Sequence, residues 1–121
     1  MPPPPTLPTA PRRGEVWRVD FEPVRGHEQG RSRPALIISN DLLNQSAAAM
    51  VTVVPITTRQ RKLRSYLPIN PPDGGLPQTS YVICDQVRTI SKERLGKRYG
   101  SLSQAALSEV ETRLKFLLDF E

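Results

Sequence analysis

Short apolar segments separated by turn-forming residues constrain the fold of this chain more than any other feature of its sequence. Residues 15–21 alternate between polar and apolar side chains, whereas residues 34–39 and 50–56 are almost continuously apolar. Alternation indicates a strand with one buried face, and a short apolar run bounded by polar residues indicates a buried strand. Further strands are predicted at residues 66–69, 80–84 and 86–90. The sequence therefore predicts mainly β structure.

Two positions within these strands carry more detailed predictions. Trp17 shares one face of the first strand with Val19 and Phe21, and this face is predicted to be the core, with Val16 on the opposite face. Pro55 has no N–H to donate to a neighbouring strand, so it predicts an edge position or a bulge at the end of the third strand.

The segment near the C-terminus has a helical period instead. Ser103 is the predicted N-cap of a helix. Apolar residues recur on one face of this helix, namely Leu107, Val110, Leu114, Leu117 and Leu118. A short helix is also predicted at residues 41–49. Because strands and helices do not alternate regularly, we expect an antiparallel, partly closed sheet with the C-terminal helix packed on one face, an α+β arrangement.

Length and charge bound the domain organisation and the type of partner. A chain of 121 residues suits one domain with a modest core. Residues 1–11 hold six prolines and are predicted to be an extended tail outside a domain at residues 12–121; the alternative is a ligand for a proline-binding module. Seventeen Lys and Arg against twelve Asp and Glu give a net charge of +5. This balance favours nucleic acid as a partner, although a soluble protein that is merely basic has the same composition.

The histidine and cysteine content excludes several kinds of chemistry. His27 is the only histidine and Cys84 the only cysteine, so a zinc site with several His and Cys ligands and a two-histidine acid–base pair are both excluded. An intramolecular disulfide is excluded as well, and a cytoplasmic location is expected. No apolar run approaches the ~20 residues that span a bilayer, and the N-terminus lacks the pattern of a secretory signal.

Two loop positions are candidates for binding a phosphate. Residues 25–33 hold three arginines and two glycines, and Arg33 precedes Pro34 at the start of a predicted strand, where its guanidinium could bind a phosphate through two hydrogen bonds. The alternative is a solvated turn. Thr57 ends the strand after Pro55, and its hydroxyl could hold a phosphate oxygen or satisfy the local backbone. Cys84 is predicted to be a core residue.

Three motifs occur in an order and spacing that resemble the MazF/PemK/Kid family of toxins. The first comprises Gly26, Glu28, Gln29, Arg33 and Pro34. The second is the Pro-Ile-Thr sequence at residues 55–57, and the third is the Gln-x-Arg-Thr-Ile sequence at residues 86–90. The resemblance extends over residues 12–120.

The resemblance implies a fold, an activity and partners. It implies an SH3-like barrel with a C-terminal helix, a homodimer, and cleavage of single-stranded RNA, often mRNA, at short sequences. Cleavage would need no metal or other cofactor, would use the 2′-hydroxyl of the RNA, and would leave a 2′,3′-cyclic phosphate and a 5′-hydroxyl. A cognate antitoxin would bind through a flexible tail that blocks the RNA groove. The catalytic residues of the family correspond to Arg33 and Thr57.

The residue chemistry fits these implied roles. Attack by a 2′-hydroxyl concentrates negative charge on the phosphorane oxygens, and Arg33 is the candidate to stabilise that charge and to protonate the leaving 5′-oxygen. Thr57 is expected to orient the phosphate. Glu28 and His27 are both candidates for the general base, and the sequence does not choose between them. The residues predicted to bind RNA are Arg25, Gln29, Arg31, Arg59, Arg61, Lys62 and Arg88.

Two other functions remain open from the sequence. Related gyrase-poisoning toxins share the barrel and act on a protein partner through the C-terminal helix. A non-catalytic SH3-like domain that only binds nucleic acid is the other alternative. RNA cleavage in EDTA distinguishes the toxin nuclease from both, and a gyrase pull-down distinguishes the two alternatives from each other.

Overall fold

The computed structural model describes residues 10–21 and 32–120, which form a seven-stranded sheet and two α-helices. The strands are β1 (Glu15–Asp20), β2 (Ser32–Ile37), β3 (Met50–Thr57), β4 (Tyr66–Ile69), β5 (Ser80–Ile83), β6 (Arg88–Ser91) and β7 (Leu95–Ser101). The helices are α1 (Asp41–Asn44) and α2 (Gln104–Leu118). The predicted tail at residues 1–9 lies outside the described part of the chain.

The strands follow the order β4-β5-β3-β2-β1-β7, and β6 pairs with β3 beside this path. Every pairing between the described strands is antiparallel. The prediction of a mainly β, antiparallel fold with a C-terminal helix is confirmed. Strands β4 and β7 end the order and do not pair with each other in the described residues, so the sheet does not close into a ring.

Pro55 lies in a central strand, so the first of its two predicted positions, an edge of the sheet, is wrong. Residues 50–53 of β3 pair with β6, whereas Ile56 and Thr57 pair with β5. Pro55 therefore lies between the two partners, where its missing N–H interrupts neither of these two ladders.

Both faces of the central strands are buried, which corrects the prediction for β1. Trp17 and Val19 pack in one apolar cluster, as predicted. Val16 is also completely buried, in a second cluster that includes Val110 and Leu114 of α2. Because a cluster covers each face of the sheet, alternation in β1 separates two cores rather than a core from solvent.

Helix α2 begins as predicted, and its last turn differs from the prediction. The Ser103 hydroxyl accepts a hydrogen bond from the Ala106 N–H at 3.2 Å, and Leu107, Val110 and Leu114 are buried. Leu117 and Leu118, predicted to share this buried face, are 42% and 49% exposed. The last turn of α2 therefore lies at the surface rather than in the core.

Helix α1 is shorter than the predicted helix at residues 41–49. The Asn40 side chain accepts a hydrogen bond from the Leu43 N–H at 2.9 Å and caps the helix start. The Ser46 hydroxyl donates to the Leu43 carbonyl at 2.8 Å, just beyond the helix end. Ala49 has a φ of 58°, which a right-handed helix cannot contain.

Strand β7 was not expected from the sequence, and it packs against the turn that precedes β5. The Gly75 backbone approaches the Tyr99 carbonyl of β7 so closely that a Cβ there would clash, and its φ of 71° also favours glycine. Asp73 in the same turn accepts hydrogen bonds from the Ser103 N–H at 2.6 Å and from its hydroxyl at 2.7 Å. This turn therefore contacts both β7 and the start of α2.

Among the described residues, no helix has the length and hydrophobicity of a membrane-spanning segment.

Candidate active site

The two phosphate-binding candidates lie on neighbouring strands. Arg33 is the second residue of β2 and Thr57 is the last residue of β3. The β2–β3 register pairs Ala35 with Pro55, so its continuation by two residues sets Arg33 opposite Thr57. Residues that face each other across an antiparallel pair project from the same side of the sheet. The sheet therefore brings together two side chains that are 24 positions apart in the sequence.

Arg33 and Thr57 line one cleft of about 550 Å³. Its described lining residues are Arg33, Thr57, Thr58, Arg59, Arg61, Tyr66, Ile83 and Gln86. Three of these are arginines, and none of the described lining residues carries a carboxylate. The electrostatic potential of such a cleft favours a polyanion, and the guanidinium groups supply paired donors for phosphate oxygens.

The Thr57 hydroxyl takes part in the local turn and keeps its capacity to donate. It accepts a hydrogen bond from the Arg59 N–H at 3.1 Å, which fixes the start of the loop after β3. A hydroxyl that accepts one hydrogen bond still has its O–H available. Satisfying the local backbone and donating to a phosphate are therefore compatible roles for Thr57.

The other predicted site residues divide into three groups. Arg59 and Arg61 lie on the cleft with Arg33. Lys62 and Arg88 are exposed and are not among the described lining residues; the Arg88 guanidinium lies 5.4 Å from the centre of the Phe21 ring. The remaining predicted residues lie outside the described part of the chain, namely Arg25, His27, Glu28, Gln29 and Arg31.

Four lining residues were not predicted as site residues, namely Thr58, Tyr66, Ile83 and Gln86. The sequence predicts only that Tyr66 and Ile83 lie in strands, at residues 66–69 and 80–84. Gln86 belongs to the third family motif, but the sequence does not indicate a catalytic or RNA-binding role for it. The alternation of β4 carries a usable signal, because Leu67 and Ile69 are buried while Tyr66 is only half-buried on the other face.

The Cys84 thiol is expected to be unreactive, although it lies near the cleft. It is completely buried within the apolar cluster under α2. Burial raises the pKa of its thiol to about 11, because a thiolate would lose its hydration. The prediction that Cys84 is a core residue is confirmed by its burial, and its thiol is neutral at physiological pH.

Two known proteins are similar to this chain over most of its length. The chain is 36% identical over 113 residues to Endoribonuclease MazF9 of Mycobacterium tuberculosis, with 89% of this chain and 96% of that protein covered. It is 34% identical over 113 residues to Endoribonuclease EndoA of Bacillus subtilis, with 90% and 97% covered. The expectation of an endoribonuclease agrees with the names of both relatives.

Solved structures with the same fold include an endoribonuclease bound to its antitoxin and a MazF protein. An endoribonuclease in complex with its cognate antitoxin from a mycobacterial species superposes with a TM-score of 0.76 at 32% identity, covering 93% of this chain and 98% of that chain. MazF of Deinococcus radiodurans superposes with a TM-score of 0.77 at 26% identity, covering 92% and 98%. The sequence model of one protein family, the PemK-like, MazF-like toxins of type II toxin–antitoxin systems, matches residues 12–118. The chain belongs to this family.

Proposed function

We propose that this protein is an endoribonuclease that cleaves single-stranded RNA, including mRNA, at a short sequence and without a metal ion. The observation that carries the proposal is the cleft that Arg33 and Thr57 share with Arg59 and Arg61. The two relatives described above are named endoribonucleases, which supports the same activity here.

The reaction that suits these residues is an internal transesterification. The 2′-oxygen of one nucleotide attacks the adjacent phosphorus, a new P–O2′ bond forms, and the P–O5′ bond breaks. The 2′-hydroxyl gives its proton to a general base, and the leaving 5′-oxygen receives a proton. The products are a 2′,3′-cyclic phosphate and a 5′-hydroxyl. Such a reaction needs stabilisation of phosphorane charge more than it needs an external nucleophile.

Arg33 and Thr57 have complementary parts in this reaction. The Arg33 guanidinium donates two parallel hydrogen bonds to non-bridging phosphate oxygens and offsets the charge that develops on them. The Thr57 O–H donates to the phosphate and fixes its orientation for in-line attack. Arg33 is also the candidate to protonate the 5′-oxygen, because no other described lining residue combines a cationic side chain with a position directly opposite Thr57.

Glu28 and His27 remain the two candidates for the general base. Each can accept a proton near neutral pH, and both belong to the segment that leads into Arg33. Replacing each one separately, as Glu28→Gln and His27→Gln, and recording the pH–rate profile of each variant will assign the role. Loss of the acidic limb in only one variant identifies that residue as the base.

The RNA is proposed to follow the basic residues on both sides of the scissile phosphate. Arg59 and Arg61 lie on the cleft, and Lys62 follows them in the same loop. Arg25, Gln29 and Arg31, which precede β2 in the sequence, are also proposed to bind the RNA, as is Arg88 of β6. These contacts are mainly to phosphates and supply affinity, while base contacts supply sequence preference.

An antitoxin and a second copy of the chain are the proposed protein partners, and the cytoplasm is the proposed location. A cationic cleft fits an acidic, flexible antitoxin tail, which would compete with RNA for the same surface. Apolar side chains on the last turn of α2 support a homodimer, because Phe116 is 78% exposed and Leu117 and Leu118 lie beside it.

The proposal is tested by incubating the protein with a long single-stranded RNA in EDTA. Wild-type protein should cut the RNA, and Arg33→Ala should lower the rate roughly a hundredfold to a thousandfold, as for the loss of one charge-stabilising donor group. Arg12→Ala is the matched control, because Arg12 is exposed and lies outside the cleft. Intact RNA with wild-type protein, or equal cleavage by Arg33→Ala, contradicts the proposal.

A further inference from the structure

The cleft contains two kinds of surface that differ in chemistry. One part is cationic and hydroxylic, formed by Arg33, Thr57, Thr58, Arg59 and Arg61 around the start of β2 and the end of β3. The other part contains an aromatic ring, an aliphatic side chain and an amide, from Tyr66, Ile83 and Gln86. Phosphate chemistry uses only the first part.

Strand pairing places the second surface beside the first. Tyr66 pairs with Ile83 across β4 and β5, and β5 pairs with β3 next to Thr57. Neighbouring strands lie ~4.8 Å apart and residues rise ~3.4 Å along a strand, so the Tyr66 backbone, two strands across and two residues along, is roughly 12 Å from the Thr57 backbone. Both side chains line the same cleft, so one bound RNA chain can contact both. A chain whose phosphate contacts Thr57 therefore has an adjacent base within reach of Tyr66.

The second surface matches the requirements of an unpaired RNA base. An aromatic ring offers a face on which any base can stack, and an aliphatic side chain offers an apolar floor. A glutamine amide can donate and accept hydrogen bonds at once, as the edge of a base requires. Gln86 is exposed, and Tyr66 is half-buried, so both can contact a ligand in the cleft.

Tyr66 is also held in place before any ligand binds. Its backbone N–H donates to the Leu63 carbonyl at 3.0 Å, and the neighbouring Ser65 carbonyl accepts from the Cys84 N–H at 2.8 Å. Leu67, next in β4, is buried in the core under α2. Because the backbone at Tyr66 is fixed, only the torsions of its side chain have to be ordered when a base stacks on the ring.

We infer that Tyr66, Ile83 and Gln86 form a base-binding subsite next to the scissile phosphate, in which an RNA base stacks on the Tyr66 ring and Gln86 hydrogen-bonds to its edge. This inference rests on the proposed endoribonuclease function and adds residues that determine sequence preference. Tyr66 and Gln86 bind the substrate and take no part in proton transfer.

The test combines side-chain replacement with base removal. The cut sequence is first mapped from the 5′ ends of the products, and short RNAs are then made with an abasic nucleotide at each position flanking the cut. Tyr66→Leu keeps apolar volume without a ring, and Tyr66→Phe keeps the ring without the hydroxyl. The measured quantity is kcat/KM for each protein and each RNA.

Tyr66→Leu should lower kcat/KM by roughly 5- to 150-fold on the complete RNA, which is the loss of one stacked base, while Tyr66→Phe should stay near wild type. On the RNA that lacks one particular flanking base, wild type and Tyr66→Leu should be equally active. Gln86→Leu should reduce discrimination among the four bases at that same position, and Gln78→Leu, a matched change outside the cleft, should not.

The two ways of failing are distinguishable. If wild-type protein cuts RNA but Tyr66→Leu is as active as wild type, or loses the same factor on every abasic RNA, the base subsite is wrong and the proposed function stands. If wild-type protein cuts no RNA, the proposed function is wrong and the subsite fails with it.

Discussion

At the residue scale, the proposed reaction depends on how precisely the Thr57 hydroxyl orients a phosphate. Its oxygen is already bound to the Arg59 N–H at 3.1 Å, so the direction of the remaining O–H is restricted before RNA binds. Preorganised donors stabilise developing charge without reorganising during the reaction. In the proposed reaction we therefore expect the short turn after β3 to contribute to catalysis, because it fixes the Thr57 side chain.

Replacing the hydroxyl by a methyl group isolates this contribution. Thr57→Val keeps the shape of the side chain and should lower kcat by roughly a hundredfold, since one donor to the phosphorane is lost. Thr57→Ser should retain most activity because the hydroxyl remains. Thr79→Val, an exposed position outside the cleft, is the matched control. Single-turnover cleavage of a short RNA measures the effect, and full activity of Thr57→Val would exclude the role.

Cys84 gives a pH-dependent prediction at the same scale. Burial raises the pKa of its thiol from 9.0 to about 11, so the folded state favours the neutral thiol more than the unfolded state does. The resulting stability is complete below pH 9 and is lost as the pH rises towards 11. The free energy of unfolding should fall more steeply in this window for wild type than for Cys84→Ala.

Chemical modification gives an independent measurement of the same thiol. At pH 8, iodoacetamide should leave Cys84 unmodified in the folded protein and modify it in urea. Alkylation of the folded protein at the rate of the unfolded chain would contradict the burial of Cys84.

Arg33 and Thr57 can be predicted as candidates from the sequence, because an arginine before a proline and a threonine at a strand end have specific physical uses. Tyr66 and Ile83 cannot, since an aromatic or aliphatic residue in a strand is usually a core residue. Whether such a side chain faces the core or a cleft depends on which strands lie beside it. That information comes from the β3–β5 and β4–β5 pairings.

At the element scale, the turn around Asp73 controls how α2 starts. The Asp73 carboxylate binds both the N–H and the hydroxyl of Ser103, the residue that caps α2. A carboxylate at this end of the helix also interacts favourably with the helix dipole. Helix α2 in turn covers one of the two apolar clusters.

Asp73→Ala should lower the free energy of unfolding by about 1–2 kcal/mol, because it removes two hydrogen bonds at a helix start. Glu109→Ala, an exposed change in the middle of α2, should stay within about 0.5 kcal/mol of wild type. Urea denaturation followed by circular dichroism measures both values. Equal stability of Asp73→Ala and wild type would show that this turn does not support the helix.

The sequence predicts β1 to β6 and α2 well because each has a distinct hydrophobic pattern. It does not predict β7, in which the sequence LGKRYGS holds two glycines and two cations and has no regular alternation. This strand forms because β1 offers it a partner, with Trp17 opposite Arg98 and Glu15 bound to the Arg98 guanidinium at 2.6 Å. Pairing with a distant strand is a tertiary effect that local pattern does not contain.

At the scale of the whole molecule, the apolar end of α2 has the composition of an interface. Phe116 and Phe120 are 78% and 67% exposed, and Leu117 and Leu118 lie between them in the sequence. Aromatic and aliphatic side chains grouped at one end of a helix are costly to leave in water. The proposed homodimer would cover them.

Phe116→Ser should therefore weaken self-association at least tenfold, as expected for an aromatic residue near the centre of an interface. Leu42→Ser is the matched control, since Leu42 is 86% exposed but lies on α1. Sedimentation velocity across a range of protein concentrations measures the association. A monomeric wild-type protein at every concentration, or equal association of Phe116→Ser and wild type, would contradict a dimer through this surface.

The most direct measurement of the central claim compares two RNAs that differ by one oxygen atom. Both contain the mapped cut sequence, and one has a 2′-deoxyribose on the 5′ side of the scissile phosphate. In EDTA, the protein should cut the all-ribose RNA to a 2′,3′-cyclic phosphate and a 5′-hydroxyl, and should leave the deoxy-substituted RNA intact. Cleavage of both RNAs at the same bond would contradict attack by the 2′-hydroxyl in the Arg33–Thr57 cleft.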